Sequence, residues 1–335
     1  MKPPQDHPAI PKRKIGLLLI NLGTPDLPEP GAVRIYLRQF LSDPRVVEIP
    51  RLVWQPILRG VILRTRPKKS AHAYSQVWTD EGSPLAAITR RQAKALEGAF
   101  GEDVIVDHAM RYGRPAIGER IEALKAQGCE RILIAPLYPQ YCAATTATAN
   151  DEAFRKLAQM RWQPALRTLP PYHDDPLYID ALKQVVEAEL AKLDFEPQAL
   201  IASFHGMPQR TLELGDPYHC HCRKTSRLLA DALGRELVTA FQSRFGRAKW
   251  LEPATDKVLE GLPAKGVTRV ALVAPGFSAD CLETLEELAI RGRDSFLAAG
   301  GTHFAYLPCL NDSGPGLEML RSLLGRELEG WATAP

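Results

Sequence analysis

Apolar residues in this chain gather in short runs that end in glycine or proline, and helical spacing fills the stretches between them. The first half holds KIGLLLINLGTP (14–25), EDVIVDHAMRYG (102–113) and CERILIAPLYPQY (129–141). The second holds PQALIASFHGMP (197–208), RELVTAFQSRFG (235–246) and VTRVALVAPGFS (267–278). Short aliphatic and β-branched runs alternating with helices predict parallel strands buried on both faces of an α/β fold.

The halves read as two copies of one pattern. NLGTP (21–25) aligns with FHGMP (204–208), RYGR (111–114) with RFGR (244–247), and RILIAP (131–136) with RVALVAP (269–275) once one residue is inserted. Three matches in one order, each at a strand end, predict an internal duplication. The expected fold is two similar α/β domains, each a parallel sheet flanked by helices. Residues 1–13 are read as a flexible, proline-rich N-terminus, 14–165 as the first domain, 166–312 as the second, which carries the metal site, and 313–335 as a C-terminal helix and tail.

The first domain carries a long insertion at about 34–85 between its first two matched strands, a common place for a pocket wall or lid. Within it, LVWQPILRGVIL (52–63) is too short and too interrupted to span a bilayer. It fits an apolar lip at a pocket mouth, with Trp54, Ile57 and Leu58 facing a ligand or a membrane surface, and it fits a core helix equally well.

Composition narrows the classes. The chain has 335 residues with 42 basic and 39 acidic side chains, a net charge of +3. That balance argues against a nucleic-acid binder and leaves an anionic small molecule open. The first thirteen residues contain no apolar signal core, and the six cysteines form no CxxC pair. Both features predict a reducing cytoplasm and no disulfide framework, with peripheral contact at the inner face of a membrane through the lip.

Ligands of open α/β sheets bind beyond the carboxyl ends of the strands, so the strand ends hold the candidate residues. His205 follows the run LIASF, where the first copy has Leu22. An imidazole replacing an apolar residue in one copy suggests a specialised site for proton transfer or metal contact. Glu283 lies three residues after Asp280, the spacing of a capping box, and four before Glu287, the spacing of a shared helix face. It is therefore either a helix cap or part of a carboxylate row ending at Arg291. HCHC (219–222) resembles a metal site only superficially, because four adjacent residues cannot converge on one tetrahedral ion. It reads instead as the end of a turn, GDPY (215–218), before a helix. Arg111, Tyr112, Arg114, Trp250 and Phe277 also fall at or beyond strand ends, where they either pack or hold a flat, acidic ligand. NLGTP is not a dinucleotide fingerprint.

SFHGMPQRTLELGDPYHCHC (203–222) resembles the ferrochelatase signature. LINLGTP, AMRYGRP, LYPQY with its following TT, FQSRFG with WLEPATD, and PGFSADCLETLEEL resemble further blocks of that family in the same order, from about residue 14 to about 312. The resemblance implies two Rossmann-like domains and an enzyme that inserts ferrous iron into protoporphyrin, the last step of protoheme synthesis. It places the family's catalytic and metal-contacting pair on His205 and Glu283 and an acidic path on Asp280 and Glu287. It places a porphyrin-binding wall on Arg111, Tyr112, Trp250 and Phe277, with Leu22 beside them. Iron and porphyrin are then substrates, with no permanently bound cofactor. The chain departs from some relatives at Cys281, where they have histidine, and at Arg291, where they have glutamate, so the acidic path is shorter. Cys309 stands alone after Pro308, and Cys142 is one position away from a cluster ligand, where Ala143 stands, so no [2Fe–2S] cluster is expected. Two other readings remain open at this level: a cobalt or nickel chelatase for another tetrapyrrole, and a non-catalytic tetrapyrrole or metal carrier. Oligomeric state is left open.

Overall fold

The computed structural model of the protein describes residues 13–332 apart from Arg247. Most of the expected flexible N-terminus, the end of the tail and the last residue of the RFGR match thus lie outside the described residues. Eight strands form two parallel sheets. β1 (Lys14–Gly23), β2 (Val104–Tyr112), β3 (Cys129–Pro136) and β4 (Ala165–Thr168) lie in the order β2-β1-β3-β4. β5 (Ala199–His205), β6 (Leu237–Gln242), β7 (Arg269–Val273) and β8 (His303–Leu307) lie in the order β6-β5-β7-β8. The same order in both sheets is what a duplicated pattern requires. The central strands are dry: Leu17 to Ile20, Ile201, Ala202 and Phe204 are fully buried, because helices cover both faces of each sheet.

Between β1 and β2 run α1 (Pro30–Leu41), α2 (Arg51–Ile57), α3 (Leu63–Val77) and α4 (Pro84–Ala95). α5 (Ile117–Ala126) and α6 (Thr148–Ala158) follow β2 and β3, and α7 (Pro176–Leu190) leads to β5. α8 (Gln209–Glu213) and α9 (Tyr218–Leu233) join β5 to β6. α10 (Thr255–Gly261) and α11 (Arg293–Ala298) follow β6 and β7, and α12 (Gly314–Leu328) comes last. Stretches of π-helix, Leu58–Ile62, Ala143–Ala147 and Glu283–Gly292, precede α3, α6 and α11.

Glycine is required at the matched ends of β1 and β5. A Cβ on Gly23 would lie 1.7 Å from the Tyr112 carbonyl oxygen, and one on Gly206 would lie 2.4 Å from that of Gln242. The strand ends approach their neighbours too closely for any side chain at those two positions.

The register corrects one of the three sequence matches. Gly23 pairs with Tyr112, and His205 pairs with Gln242. With Gly23 equivalent to Gly206, Arg111 corresponds to Gln242 and Tyr112 to Ser243. Two loop hydrogen bonds fix the same equivalence: Met110 N–H to the Pro115 carbonyl at 2.7 Å and Phe241 N–H to the Pro253 carbonyl at 2.9 Å. RFGR begins only after β6 has ended, so its likeness to RYGR is local and not structural. The boundary placed at 165 also falls inside β4, whose four residues pair with β3 in the first sheet. α12 returns to the first sheet, where Met319, Leu320, Leu323 and Leu324 share a core with Leu17, Leu19 and Leu133.

The lip divides by face. Trp54 is buried, with its indole N–H on the Leu41 carbonyl at 2.6 Å, and Leu58 is fully buried beside Tyr36, Leu37 and Tyr74. For these two the core-helix reading holds rather than the lip reading. Leu52 is 92% exposed, and Val53, Ile57 and Val61 also face outward.

HCHC lies within the opening turns of α9 rather than before it, because the Asp216 carboxylate accepts the Tyr218 N–H at 3.0 Å and starts the helix there. Cys222 is buried, Cys220 is exposed, and the His219 ring stacks on Phe241. The His221 ring stacks on His173 with centroids 3.6 Å apart and 6° between planes. His221 Nδ1 also accepts the Tyr141 N–H at 3.2 Å, joining the second half to the first. Burial, and then the neighbouring imidazole, push His173 down to about 4; burial also lowers His221. Asp174 opposes both shifts, while Lys224 reinforces them. The folded state therefore favours the neutral pair. Its contribution is complete above the ordinary histidine value of 6.5 and is lost as pH falls from there towards about 4. Replacing His173 with Asn should flatten the acid limb of thermal stability across that window; an unchanged slope in a melting series would show that the pair contributes nothing.

Candidate active site at the strand ends

His205 ends β5 and is half-buried. Its Nδ1 lies 2.7 Å from the Gly206 carbonyl oxygen. A carbonyl only accepts, so Nδ1 carries the hydrogen and Nε2 is left with its lone pair. The Tyr218 hydroxyl donates to the His205 carbonyl at 2.9 Å and fixes the backbone beneath the ring. The strand thus presents an oriented imidazole whose basic nitrogen faces away from its own chain.

Gln242, the residue paired with His205, is buried and ties the site together. Its Oε1 accepts the Ser203 hydroxyl at 2.8 Å, and its Nε2 donates to the Glu283 carbonyl at 2.8 Å. Sequence reading passed over this residue; a glutamine at the end of a buried strand is the signal that was available. Glu283 opens the π-helical stretch Glu283–Gly292, an irregularity found often at functional sites. Its carboxylate does not form the expected capping box. Thr284 takes that place: its hydroxyl accepts the Cys281 N–H at 3.0 Å and donates to Asp280 at 2.8 Å. Glu283 instead lies near the first half. Its charge is felt by the buried hydroxyls of Tyr36 in α1 and Tyr74 in α3, which burial first and neighbouring charges second push far up. The Cys281 thiol is raised by burial and then by Glu283.

The other two acids differ in availability. Both Glu287 oxygens are held by Ser243, through its N–H at 2.8 Å and its hydroxyl at 2.5 Å. Asp280 is buried, and its oxygens accept from Thr284 at 2.8 Å, Tyr306 at 2.6 Å and Asn311 at 2.6 Å. With its acceptors filled by protein donors, Asp280 braces the turn before the π-helix and is not an open step on an acidic path. Among the described residues, no three His, Cys, Asp or Glu side chains converge as a ready-made metal cage. His205 and Glu283 are separate donors joined through Gln242.

Arg111 and Tyr112 are less open than expected. Asp43, just after α1, gathers Arg111 at 2.5 Å, Tyr112 at 2.8 Å and the Thr148 hydroxyl at 2.5 Å on one oxygen. Burial would raise its carboxyl, but hydrogen bonds from Thr148, the Arg45 N–H and Tyr112, with the Arg111 charge, hold it below the usual range. Tyr112 is fully buried against Phe40. Arg111 and Tyr112 are therefore tied up with Asp43 and Thr148, Tyr112 fully buried and Arg111 mostly so. Asp43 and Thr148 were missed in the sequence because their partners lie far along the chain.

Leu22 and Phe277, both half-buried, meet Leu85, Ile88, Ala279 and Cys281 in an apolar cluster that bridges the halves. Trp250 packs over Gly206, next to His205, and its indole N–H bonds the Phe245 carbonyl at 2.9 Å. At the rim, the Arg66 guanidinium of α3 lies 4.3 Å over the Phe245 ring. A cavity of about 410 Å³ opens on the outer side, lined by Trp250, Ser243, Lys249, Glu287 and Arg291 among others. His205 is not on its wall.

Comparison with known proteins bears on the fold and the family. The solved structure of SirB from Bacillus subtilis with Fe3+ superposes with a TM-score of 0.55 at 13% identity, covering 96% of this chain and all of the other. CbiX, described as the terminal enzyme for siroheme biosynthesis in denitrifying bacteria, superposes with a TM-score of 0.53 at 14% identity, covering 95% of this chain and all of the other. At those identities the likeness establishes the chelatase-like fold alone. Sequence comparison reaches further. The ferrochelatase of Rhizobium meliloti is 55% identical over 333 residues, 97% of this chain and 98% of that one. The ferrochelatase of Azoarcus sp. is 53% identical, covering 96% and 90%. The family model described as Ferrochelatase matches residues 14–328, and on this ground the chain belongs to the ferrochelatase family.

Proposed function

We propose that the protein inserts ferrous iron into protoporphyrin to make protoheme, the closing step of heme synthesis. Family membership supports the reaction. The observation that supports the residue assignment is that Gln242 pairs with His205 in the sheet and bonds the Glu283 carbonyl through its side chain.

A free-base porphyrin holds two N–H protons in a nearly planar ring, so iron enters only when a nitrogen lone pair turns towards it and the protons leave. His205 Nε2 is the acceptor for those protons, because Nδ1–H is committed to the Gly206 carbonyl. Glu283, which lies near Tyr36 and Tyr74, replaces water around the incoming cation, and Glu287 stands one turn behind it. Imidazole and carboxylate both suit a borderline divalent ion. Leu22, Phe277 and Trp250 supply apolar walls, whose contact with the macrocycle provides binding energy for bending it. Arg111 and Tyr112, tied to Asp43 and Thr148, stiffen the first half.

No described helix is long and apolar enough to cross a membrane. Leu52, Val53, Ile57 and Val61 are exposed with Arg51, Arg59, Arg64, Lys68 and Lys69 around them. This pairing of apolar tips with a basic rim supports weak contact with an anionic bilayer surface.

His205→Ala should fold with an unchanged melting temperature and lose insertion of iron or zinc by roughly a hundredfold or more, followed by the porphyrin absorption spectrum. Glu283→Gln keeps the size of the side chain and should also lower the rate. Full turnover in either variant removes that residue from the mechanism. Separately, Leu52→Ser with Val61→Ser should reduce co-sedimentation with phosphatidylglycerol vesicles and leave the melting temperature unchanged; equal sedimentation would show that the lip does not touch lipid.

A further inference from the structure

Ser243 is one of two non-glycine residues with positive φ among the described residues, at 64°. That region is unfavourable for a side-chain-bearing residue and persists where surrounding contacts over-determine it. Here the contacts are with one carboxylate. The Ser243 N–H reaches Glu287 Oε1 and its hydroxyl reaches Oε2, at 2.8 and 2.5 Å. The preceding residue, Gln242, grips the Glu283 carbonyl. Two consecutive residues at the end of β6 thus staple the π-helix at two points one turn apart.

Glu287 has a competing partner. Arg291 follows it by four residues on the same π-helical stretch, about one turn further on. Yet Arg291 Nε is engaged with both oxygens of Glu286, at 2.8 and 3.0 Å, and its nearest approach to Glu287 is 3.9 Å. Ser243 already occupies both Glu287 oxygens, which leaves Arg291 at the mouth of the outer cavity without a close bond to the inner acid.

We infer that Ser243 is a positioning residue that keeps Glu287 from collapsing onto Arg291, so that a carboxylate stays oriented behind Glu283 on the metal side of the site. This rests on the role for Glu287 proposed above. Removing the hydroxyl frees Oε2, and the Arg291 guanidinium takes it, neutralising the acid next to the incoming cation. Leu22 and Phe277, in the apolar cluster between the halves, lie outside the cavity where that exchange takes place.

Three variants test this: Ser243→Gly, which tolerates the positive φ and keeps the N–H; Glu287→Gln; and Ser243→Gly with Arg291→Gln. Ser243→Gly should lower kcat/KM for ferrous iron by roughly tenfold or more, with KM for porphyrin unchanged. Adding Arg291→Gln should restore most of the loss, a rescue that mere support of the loop would not produce. Ser243→Gly activity within about twofold of the parent, a rise in porphyrin KM, or no rescue overturns the inference. If Glu287→Gln keeps full activity, the reading of Glu287 itself fails; if it loses activity while Ser243→Gly does not, only the role of Ser243 fails.

Discussion

The amide of Gln242 holds the site in one piece. One end accepts from Ser203 in the neighbouring strand, the other donates to the Glu283 carbonyl, and its backbone carbonyl accepts the Gly206 N–H at 2.7 Å. The amide is buried, so each of these bonds forms away from competing water, where an unmade one is costly. The strand that aims His205 and the π-helix that presents Glu283 are therefore set by one side chain. A loss there would disturb the imidazole and the carboxylate together, although neither touches the amide through its own functional group.

The two halves have diverged at equivalent strand ends. Where the second half has His205, Gln242 and Ser243, the register gives the first half Leu22, Arg111 and Tyr112. The first set offers proton acceptors and polar grips. The second offers an apolar contact above a charged brace centred on Asp43. On the proposed function, one scaffold would supply chemistry from the second half and stiffness with an apolar contact from the first, which also carries the long insertion α1–α3.

Much of this was legible in the residues. Continuous apolar runs marked the strands, and the repeated glycines at Gly23 and Gly206 marked the duplicated ends, because close backbone approach leaves no choice of residue. RFGR misled because local likeness carries no information on pairing, whereas hydrogen-bond register placed Gln242 opposite His205. The lip run was apolar on more than one face, so only packing could assign Trp54 and Leu58 to the core and Leu52 to solvent. The spacing of Asp280 and Glu283 suggested a cap, but the shorter Thr284 hydroxyl fills that place and the Glu283 carboxylate takes no part in it. Asp43 carried no local sign of its role, since each of its partners comes from a distant segment.

The return of α12 to the first sheet has a consequence for the order in which the chain becomes stable. Leu17, Leu19 and Leu133 find part of their cover in Met319, Leu320, Leu323 and Leu324, on the last helix among the described residues. The Arg167 guanidinium fastens that helix by its terminal carbonyls, at 2.7 Å to Glu327 and 2.9 Å to Glu329. During synthesis the amino-terminal sheet therefore waits with one oily flank uncovered until α12 has emerged. The amino-terminal unit could not be cut from this polypeptide with its cover intact, because part of that cover follows the second sheet in the chain.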